Sequence, residues 1–469
     1  MTPARRLLAL LTPLLAAATV AAQTLPPEVD AALARARVPR DAVTLLVTEV
    51  DGKTAPRLAH RSTVPMNPAS LMKLVTTYAA LDQLGPAFSW STPVYVEGAV
   101  RDGTLFGNLH IKGQGDPKLV VERLWLLLRR VQGLGVQQIA GDIVLDHSAF
   151  EATDPNPAAF DGEPLRPYNA AADALLLNYK ALVVTFVPDR TANTAQVQVE
   201  PPLAGLQVPA SVPLAAGECG DWRGALKADF ADPARLRFAG GYPAACGERT
   251  WPVAYSDPRS YAPRAVAGLW AAMGGKLAGQ VRAGKVPAGL APAFELQSPV
   301  LSEVIRDINK YSNNVMAQQL FLTLSLQQKG QGTAEGSREL LRQWWQARFG
   351  AADAPVIDNG SGLSRESRLS AQALARLLQA AWASPVMPEL MASLPITGVD
   401  GTLRRSRSKG GTAHLKTGSL RDVAGVAGYV LGASGRRHVL VALINHPNAN
   451  AARPALEALV DWAAKDTTP

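Results

Sequence analysis

Three short motifs, far apart in this chain, most constrain how it can fold. They are S-x-x-K at Ser70–Lys73, S-x-N at Ser312–Asn314 and K-T-G at Lys416–Gly418. Each supplies hydroxyl, amide or ammonium groups of the kind that build a nucleophilic serine site. Ser70 precedes Ser312 by 242 positions, so a shared site requires the intervening chain to leave and return. We therefore predict one domain made from both ends of the chain, with the middle as an insertion.

The length of the chain and its pattern of predicted helices and strands indicate more than one structural unit. At 469 residues it exceeds one ordinary domain, and contents of 47% hydrophobic and 18% charged residues describe a folded chain. We predict the α+β class, with helices around an antiparallel sheet built from residues 23–90 and 298–469. The inserted region is expected to form one or two smaller, β-rich domains. These are an α+β unit at 91–175 and 257–297 and a mostly β unit at 176–256.

The first residues carry the pattern of an export signal. Two arginines precede an apolar run at 7–20, and small residues follow up to Ala22. We predict a cleaved signal peptide over residues 1–22, with Gln23 as the first mature residue. A membrane anchor is the alternative, but the run is short for a bilayer span. No later stretch is long and apolar enough to cross a membrane, so the mature chain is expected to be soluble.

The two cysteines, Cys219 and Cys246, lie in the mostly β unit. An exported chain folds in an oxidising compartment, so a disulfide between them is expected. Two free buried thiols are the alternative. Neither cysteine has the neighbours of a catalytic thiol, and both are interpreted as structural.

The formal net charge is +8, and a basic cluster stands at Arg404, Arg405, Arg407 and Lys409. Such a cluster can indicate binding to nucleic acid, but the predicted export of the chain argues against that partner. Anionic wall polymers or a loosely bound membrane surface fit an exported chain better. A solvated basic loop is an equally good interpretation.

The S-x-x-K motif stands at the predicted start of a helix. Asn67 is a suitable N-cap and Pro68 fits the first turn, which places Ser70 and Lys73 on one helical face. A serine is a poor nucleophile until a base removes its proton, and a lysine can be that base when its pKa is lowered. The alternative is a serine near a helix start followed by a solvated lysine. A second S-x-x-K copy, at 406–409, lies among charges and glycines and is predicted to be a loop.

The other two motifs offer groups that complete such a site. The Ser312 hydroxyl can relay a proton, and the Asn314 amide can hold both a lysine and a substrate carbonyl. In the K-T-G segment Lys416, Thr417 and Ser419 can bind a carboxylate, while Gly418 lets substrate approach the strand. The alternatives are a helix cap for the first motif and an ordinary edge strand for the second.

The ordered set resembles penicillin-binding proteins of the D-Ala-D-Ala carboxypeptidase/endopeptidase type, the peptidase family S13. Further segments are similar to that family: G-Q-G-D-P at 113–117, D-N-G-S-G-L-S-R at 358–365, G-V-D-G-T-L-R at 398–404, and residues 425–430. The resemblance implies a serine β-lactamase/transpeptidase-like domain split by an insertion, in the periplasm of a bacterium. Peptidoglycan peptides and β-lactams are the implied partners, and no metal or organic cofactor is expected.

The resemblance also implies roles for individual residues. Ser70 would be acylated by the penultimate D-Ala, Lys73 would accept its proton, and Ser312 would be the third catalytic residue. Substrate binding would fall to Asn314, Lys416, Thr417, Gly418 and Ser419. The diaminopimelate end of the peptide stem would meet an acidic and an aromatic residue of the insertion. The best matches are Glu163 (or Asp161) and Tyr168, with Arg365 and Leu420 nearby.

Two other functions remain as alternatives. A serine β-lactamase uses the same three motifs, and class A enzymes add a glutamate for deacylation. The nearest match to that glutamate's segment is residues 174–178, which has alanine where the glutamate would stand. A catalytically idle wall-binding protein would not need the intact motif set. The sequence contains neither the H-E-x-x-H pair of a metal hydrolase nor the G-x-S-x-G elbow of a lipase. The balance between carboxypeptidase and endopeptidase action, the oligomeric state and the envelope partners are left open.

Overall fold

A computed structural model of the protein describes residues 24–153 and 156–466. The predicted signal peptide and Gln23 lie outside the described residues. Three large sheets organise the described chain, and each takes its strands from one of the predicted units. The chain that carries the three motifs surrounds the first of these sheets.

The first sheet joins the two ends of the chain. It is antiparallel throughout, and Val43 near the start pairs with Ile444 near the end. The K-T-G strand is its outermost strand, so one backbone edge of that strand is left for other contacts. In spatial order the strands are Ala413–Leu420, Val423–Leu431, Arg437–Asn445, Val43–Glu49 and Leu58–His60.

Helices cover both faces of this sheet. On one face Met72–Leu84 lies at the centre of the largest hydrophobic core and is almost entirely buried, because apolar residues surround it on every side. Helices Leu301–Lys310, Asn314–Lys329, Ala334–Phe349, Ala371–Trp382 and Met387–Ser393 pack on or around it. On the other face lie helices Pro27–Arg35 and Arg453–Ala464 over a second core.

The first inserted unit has a seven-stranded mixed sheet and two main helices. Its core lies between the sheet and helices Val121–Gly133 and Pro258–Ala272. Helix Pro258–Ala272 begins with Pro258 in its first turn, where a proline is well tolerated, and contains Pro263 within it. The strands are Ser91–Arg101, Thr104–Lys112, Gln138–Ile139, Ile143–Asp146, Lys276–Leu277, Val281–Ala283 and Phe294–Gln297.

The second inserted unit is mostly β and contains the predicted disulfide between Cys219 and Cys246. Its five-stranded sheet consists of Ala181–Asp189, Thr194–Glu200, Ser211–Ala215, Tyr242–Pro243 and Arg249–Ala254. A two-stranded sheet (Ala228–Asp229 and Arg237–Phe238) and the short helix Trp222–Leu226 complete it. The remaining elements of the described residues are 3-10 turns at Arg40–Ala42, Ala69–Leu71, Pro167–Asn169, Asn178–Lys180, Ala244–Cys246 and Gly401–Leu403.

The predicted α+β class is confirmed. The residue ranges given for the domains stay a prediction, which the membership of the three sheets supports. Within residues 24–153 and 156–466, no helix combines the length and apolar character that crossing a bilayer requires.

Candidate active site

Ser70 lies in a tight turn just before the central helix. The side chain of Asn67 accepts a hydrogen bond of 2.9 Å from the Ala69 N–H and so holds the 3-10 turn Ala69–Leu71 that leads into helix Met72–Leu84. The prediction of Asn67 as the helix N-cap is wrong, because Pro68 takes that position for the turn and Leu71 for the helix. Asn67 in turn donates to the Ser364 carbonyl, 2.9 Å away. This turn leaves Ser70 half-buried at the surface of the cleft, while the helix behind it is buried.

Lys73 is fully buried beside Ser70, which excludes the solvated lysine of the alternative interpretation. Its Nζ lies 3.0 Å from Ser70 Oγ, 2.6 Å from Asn314 Oδ1 and 2.6 Å from the Ser361 carbonyl oxygen. Burial, and next the positive charge of Lys416, hold the pKa of Lys73 well below its usual value of 10.5. A neutral amine can donate to the two obligate acceptors and turn its lone pair to the serine hydroxyl.

Ser312 and Asn314 flank a residue that does the capping. Asn313 caps helix Asn314–Lys329 by accepting from the Met316 N–H at 3.0 Å. Ser312 has a φ of +57°, a left-handed conformation that is uncommon for a non-glycine residue. With Asn313 in the cap, Ser312 and Asn314 are free to face the two lysines.

Lys416 is the second buried lysine of the site. Its Nζ donates to Ser312 Oγ at 2.8 Å and to the Thr417 carbonyl at 2.8 Å. Burial lowers the pKa of Lys416 to about 7. Thus all three motifs meet: Ser70 contacts Lys73, Lys73 contacts Asn314, and Lys416 contacts Ser312.

The outer edge of the K-T-G strand faces the reactive serine. The Leu415 N–H donates outward to the Pro395 carbonyl at 2.8 Å, and strand geometry repeats every two residues. The N–H groups of Thr417 and Ser419 therefore point to the same open edge. A Cβ added to Gly418 would lie 2.8 Å from the Pro68 carbonyl oxygen, so glycine permits the strand to approach the serine turn.

The D-N-G-S-G segment contributes a group that sequence reasoning missed. Its Ser361 carbonyl accepts from Lys73, and a Cβ at Gly362, where φ is +76°, would lie 1.8 Å from the Ala69 carbonyl oxygen. The Gly360 carbonyl accepts from Thr76 Oγ1 at 2.7 Å. The motif was visible in the sequence, but nothing in it indicated that a backbone carbonyl would face the lysine.

A segment of the insertion, residues 160–169, lies against the S-x-N motif. Asn314 Nδ2 donates to the Tyr168 carbonyl at 3.4 Å, and the Tyr168 hydroxyl donates to Asp161 at 2.8 Å. Desolvation acts to raise the pKa of Asp161, but hydrogen bonds from Tyr168 and Asn169 outweigh it and lower the pKa. Glu163, which is exposed like Asp161, faces Arg166 at 3.6 Å instead. Of the two predicted acidic candidates, Asp161 is the one that contacts Tyr168.

Arg365 lies across from this segment. Its guanidinium stands 4.8 Å from the ring centroid of Phe160 and donates to Asp422 at 2.9 Å. Leu420 ends the K-T-G strand and is half-buried, and its carbonyl accepts from Asn450 at 3.0 Å. The structure thus gives Arg365 an aromatic neighbour, Phe160, that sequence reasoning did not single out.

A loop of the G-V-D-G-T-L-R segment forms the far wall of the cleft. Thr402 Oγ1 lies 2.7 Å from Thr417 Oγ1, and Asp400 pairs with Lys310 at 2.6 Å. The cleft has a volume of about 470 Å³ and contains Ser70, Ser312 and Thr417 in its lining. Thr402 was also missed, although its motif was recognised.

Comparison with known proteins identifies the family. The model of the D-Ala-D-Ala carboxypeptidase 3 (S13) family matches residues 25–466. The chain belongs to this S13 peptidase family. The S13 prediction, which stood on the three motifs and four further segments, is confirmed, and so is the predicted enzyme class of serine-type D-Ala-D-Ala carboxypeptidase.

Individual S13 relatives have low sequence identity to this chain but align with most of its length. A D-alanyl-D-alanine carboxypeptidase of Actinomadura sp. is 28% identical over 392 residues, 78% of this chain and 71% of the relative. The D-alanyl-D-alanine carboxypeptidase DacB of Haemophilus influenzae is 26% identical over 404 residues, 80% of each chain.

Solved structures show the same fold. The crystal structure of penicillin binding protein 4 (dacB) from Haemophilus influenzae aligns with a TM-score of 0.72 at 21% identity, covering 92% of this chain and 99% of that chain. A predatory peptidoglycan endopeptidase from Bdellovibrio bacteriovorus aligns with a TM-score of 0.52 at 16% identity, covering 89% and 91%. The fold extends over the inserted units as well as the motif-bearing domain.

Proposed function

We propose that this S13 enzyme hydrolyses D-Ala-D-Ala termini and cross-links of peptidoglycan peptides through an acyl-enzyme on Ser70, and that penicillins acylate the same serine. The observation that carries the proposal is the buried Lys73, which has a lowered pKa and lies 3.0 Å from the Ser70 hydroxyl. A general base must lie within hydrogen-bond reach of its proton, and this one does.

Acylation begins with proton transfer from Ser70 to neutral Lys73. Ser70 Oγ attacks the carbonyl carbon of the penultimate D-Ala, and negative charge develops on the carbonyl oxygen. The N–H groups of Ser70 and Ser419 stabilise that oxygen, as preorganised donors do in acyl transfer. Asn314, held by Lys73, contacts the substrate backbone.

Expulsion of the leaving group needs a proton on its nitrogen. Ser312 Oγ–H delivers this proton and receives in exchange the Ser70 proton from Lys73, which becomes neutral again, while Lys416, 2.8 Å away, holds the Ser312 hydroxyl in place. The C–N bond breaks, the amine leaves, and the acyl group remains on Ser70. Water then attacks the ester and neutral Lys73 accepts its proton. The bond between the acyl carbon and Ser70 Oγ breaks, Lys73 returns the proton to Ser70 Oγ, and the shortened peptide is released.

Recognition of the peptide stem is assigned to residues 160–169 together with Arg365. We propose that Asp161, rather than Glu163, binds the ammonium group at the diaminopimelate end, because the Tyr168 hydroxyl donates to its carboxylate while the Tyr168 carbonyl accepts from Asn314. The exposed Arg365 guanidinium, which stacks on Phe160, offers a partner for the neighbouring carboxylate.

This assignment predicts unequal effects of two conservative substitutions. Asp161→Asn is expected to lower kcat/KM about 10-fold for a stem peptide with a free side-chain ammonium, since it loses a charge-assisted hydrogen bond of about 1.4 kcal/mol. The same peptide with that amine acetylated should be hydrolysed equally by both enzymes. Glu163→Gln is the matched control and should change neither rate by more than about twofold. A larger loss in Glu163→Gln than in Asp161→Asn would contradict the assignment.

The cellular setting follows from the substrate. We propose export through the N-terminal signal to the periplasm, where peptidoglycan lies and where the disulfide between Cys219 and Cys246 can form. Peptidoglycan peptides and β-lactams are the proposed binding partners. Proteolysis of the purified envelope fraction with and without outer-membrane permeabilisation would test the location.

A further inference from the structure

One buried charged group next to the site takes no part in the reaction described above. Besides the two lysines of the site, the described residues bury one further lysine, Lys310, which lies two positions before Ser312. Its Nζ donates to the Leu394 carbonyl at 2.6 Å and pairs with the Asp400 carboxylate, also at 2.6 Å. Burying an ammonium group is unfavourable unless an opposite charge and hydrogen bonds compensate for it, and these two contacts supply both.

Asp400 holds both the lysine and its own loop. One carboxylate oxygen pairs with Lys310, and the other accepts from the Ile396 N–H at 2.9 Å. Desolvation acts to raise the pKa of Asp400, but hydrogen bonds from Lys310 and from the Ile396 N–H outweigh it and lower the pKa. A Cβ at Gly401, where φ is +55°, would lie 2.5 Å from the Lys310 carbonyl oxygen. The loop 394–401 is therefore closed onto the residue that leads into the S-x-N motif.

The same loop is attached to the K-T-G strand. Its backbone accepts a hydrogen bond of 2.8 Å from the Leu415 N–H, and directly after it Thr402 Oγ1 lies 2.7 Å from Thr417 Oγ1. Leu415 and Thr417 flank Lys416, whose Nζ donates to Ser312 Oγ at 2.8 Å. The contacts thus form a closed ring, from Ser312 through the buried ion pair and the loop to the K-T-G strand and back to Ser312.

We propose that Lys310 and Asp400 are positioning residues that hold Ser312 where it can protonate the leaving nitrogen. The proposal rests on the proton delivery by Ser312 in the function proposed above, and it gives a role to two residues that do not line the cleft. Without the ion pair, the loop and the K-T-G strand can shift relative to Ser312. A misplacement of about 1 Å can slow a catalysed step about 100-fold.

The test compares two substrates that have the same acyl group and different leaving groups. One is a peptide that ends in D-Ala-D-Ala, and the other is its thioester analogue. An amide nitrogen must be protonated to leave, whereas a thiolate, whose thiol has a pKa of about 8.5, leaves without a proton. The readout is kcat/KM for the amide divided by kcat/KM for the thioester. This ratio does not depend on how much of a preparation is folded.

Two substitutions remove one charge of the ion pair each and keep nearly the same side-chain shape. Asp400→Asn and Lys310→Met are each expected to lower the ratio at least about tenfold, because only the amide needs a well-placed proton donor. Ser312→Ala should lower the ratio further, since it removes the donor itself. The double variant of Lys310 and Asp400 should lower it no further than the larger single effect, because the two residues make one contact.

Asp353→Asn is the matched control. Asp353 pairs with Arg376 at 2.8 Å, and both Asp353 and Asp400 are partly exposed, at 20% and 35%. Neither Asp353 nor Arg376 lines the cleft. This variant should leave the ratio within about twofold.

The outcomes separate the two proposals. A ratio that is unchanged in Asp400→Asn and Lys310→Met, but lowered in Ser312→Ala, would overturn the positioning role and leave the proposed function intact. An unchanged ratio in Ser312→Ala would instead overturn the proton delivery by Ser312. An equal fall in Asp353→Asn would show a general effect of losing an ion pair and would also overturn the specific role. If Lys310→Met does not fold, the ratio in Asp400→Asn decides alone.

Discussion

At the scale of single residues, two buried lysines share one small site. Lys73 and Lys416 are both fully buried, and burial lowers the pKa of each, while the charge of Lys416 lowers the pKa of Lys73 further. Lys416 keeps a pKa of about 7, whereas the pKa of Lys73 is held well below 10.5 by burial and by the charge of Lys416. The charge of one lysine therefore prepares the other to act as a base.

This coupling predicts the pH dependence of acylation. The rate should fall in acid, because protonated Lys73 cannot accept the Ser70 proton. Lys416→Gln removes the positive charge that lowers the pKa of Lys73, so the pKa rises and the acid limb moves to higher pH. The measurement is the second-order rate of acylation by benzylpenicillin from about pH 5 to about pH 9.

The exposed Lys409→Gln serves as the control for this pH experiment. This substitution also removes one positive charge, but from a surface loop where solvent screens the charge. The acid limb of the pH profile should therefore stay in place. An acid limb that stays in place or moves to lower pH in Lys416→Gln would contradict the coupling.

At the scale of elements, the site depends on close contacts between loops from distant parts of the chain. The D-N-G-S-G loop lies against the serine turn, and Gly362 is the point of closest approach. The turn itself is fixed by Asn67, which also donates to the Ser364 carbonyl. These contacts position the Ser361 carbonyl on Lys73 and leave no room for a side chain at Gly362.

A single methyl group at Gly362 should therefore disable the site. Gly362→Ala places Cβ 1.8 Å from the Ala69 carbonyl oxygen in a left-handed conformation, so backbone must move. We expect at least about 2–3 kcal/mol loss of unfolding free energy and a large drop in acylation rate. Gly435→Ala, also left-handed at φ +84° but with open space around it, isolates the conformational cost of about 1 kcal/mol. Urea unfolding and acylation kinetics on both variants check this, and equal losses would contradict the clash.

Much of the site could be predicted from side-chain motifs. The features that could not be predicted are contacts of backbone groups and the choice of hydrogen-bond partners. Ser70, Lys73, Ser312 and Lys416 converge as the motif order indicated. The Ser361 carbonyl was missed because every residue has such a group, and only the fold selects which one faces the lysine. Asp161 and Glu163 are two positions apart and chemically alike, so their hydrogen-bond partners, not their identity, distinguish them.

At the scale of the whole molecule, an insertion supports a site built from both chain ends. The Ala254 N–H, in the last strand of the mostly β unit, donates to the Leu165 carbonyl at 3.0 Å. Leu165 packs against the core of that unit, and the segment 160–169 thus connects it with the S-x-N helix. The return of the chain was predictable from the motif order, but this bridge was not, because both of its hydrogen bonds are accepted by backbone carbonyls, which every residue has.

The disulfide should stabilise the insertion without taking part in acylation. Cys219 and Cys246 close a loop with a sequence separation of 27, for which chain entropy predicts about 3–4 kcal/mol of stabilisation. Replacing both by serine should lower the unfolding free energy of this unit by that order. The acylation rate by benzylpenicillin should stay within about twofold under folding conditions, as Ser70 and Lys73 lie on the other domain. Acylation lost in a variant that remains folded would contradict this separation.

The most direct test of the central claim is the intact mass of the mature protein after incubation with benzylpenicillin, with the adduct mapped by peptide digestion. We predict one long-lived adduct on Ser70, absent in a folded Ser70→Ala variant. An adduct on Ser406, the serine of the second S-x-x-K copy, or none on a folded wild-type protein, would contradict it. Rapid penicillin hydrolysis without a lasting adduct would indicate a β-lactamase instead.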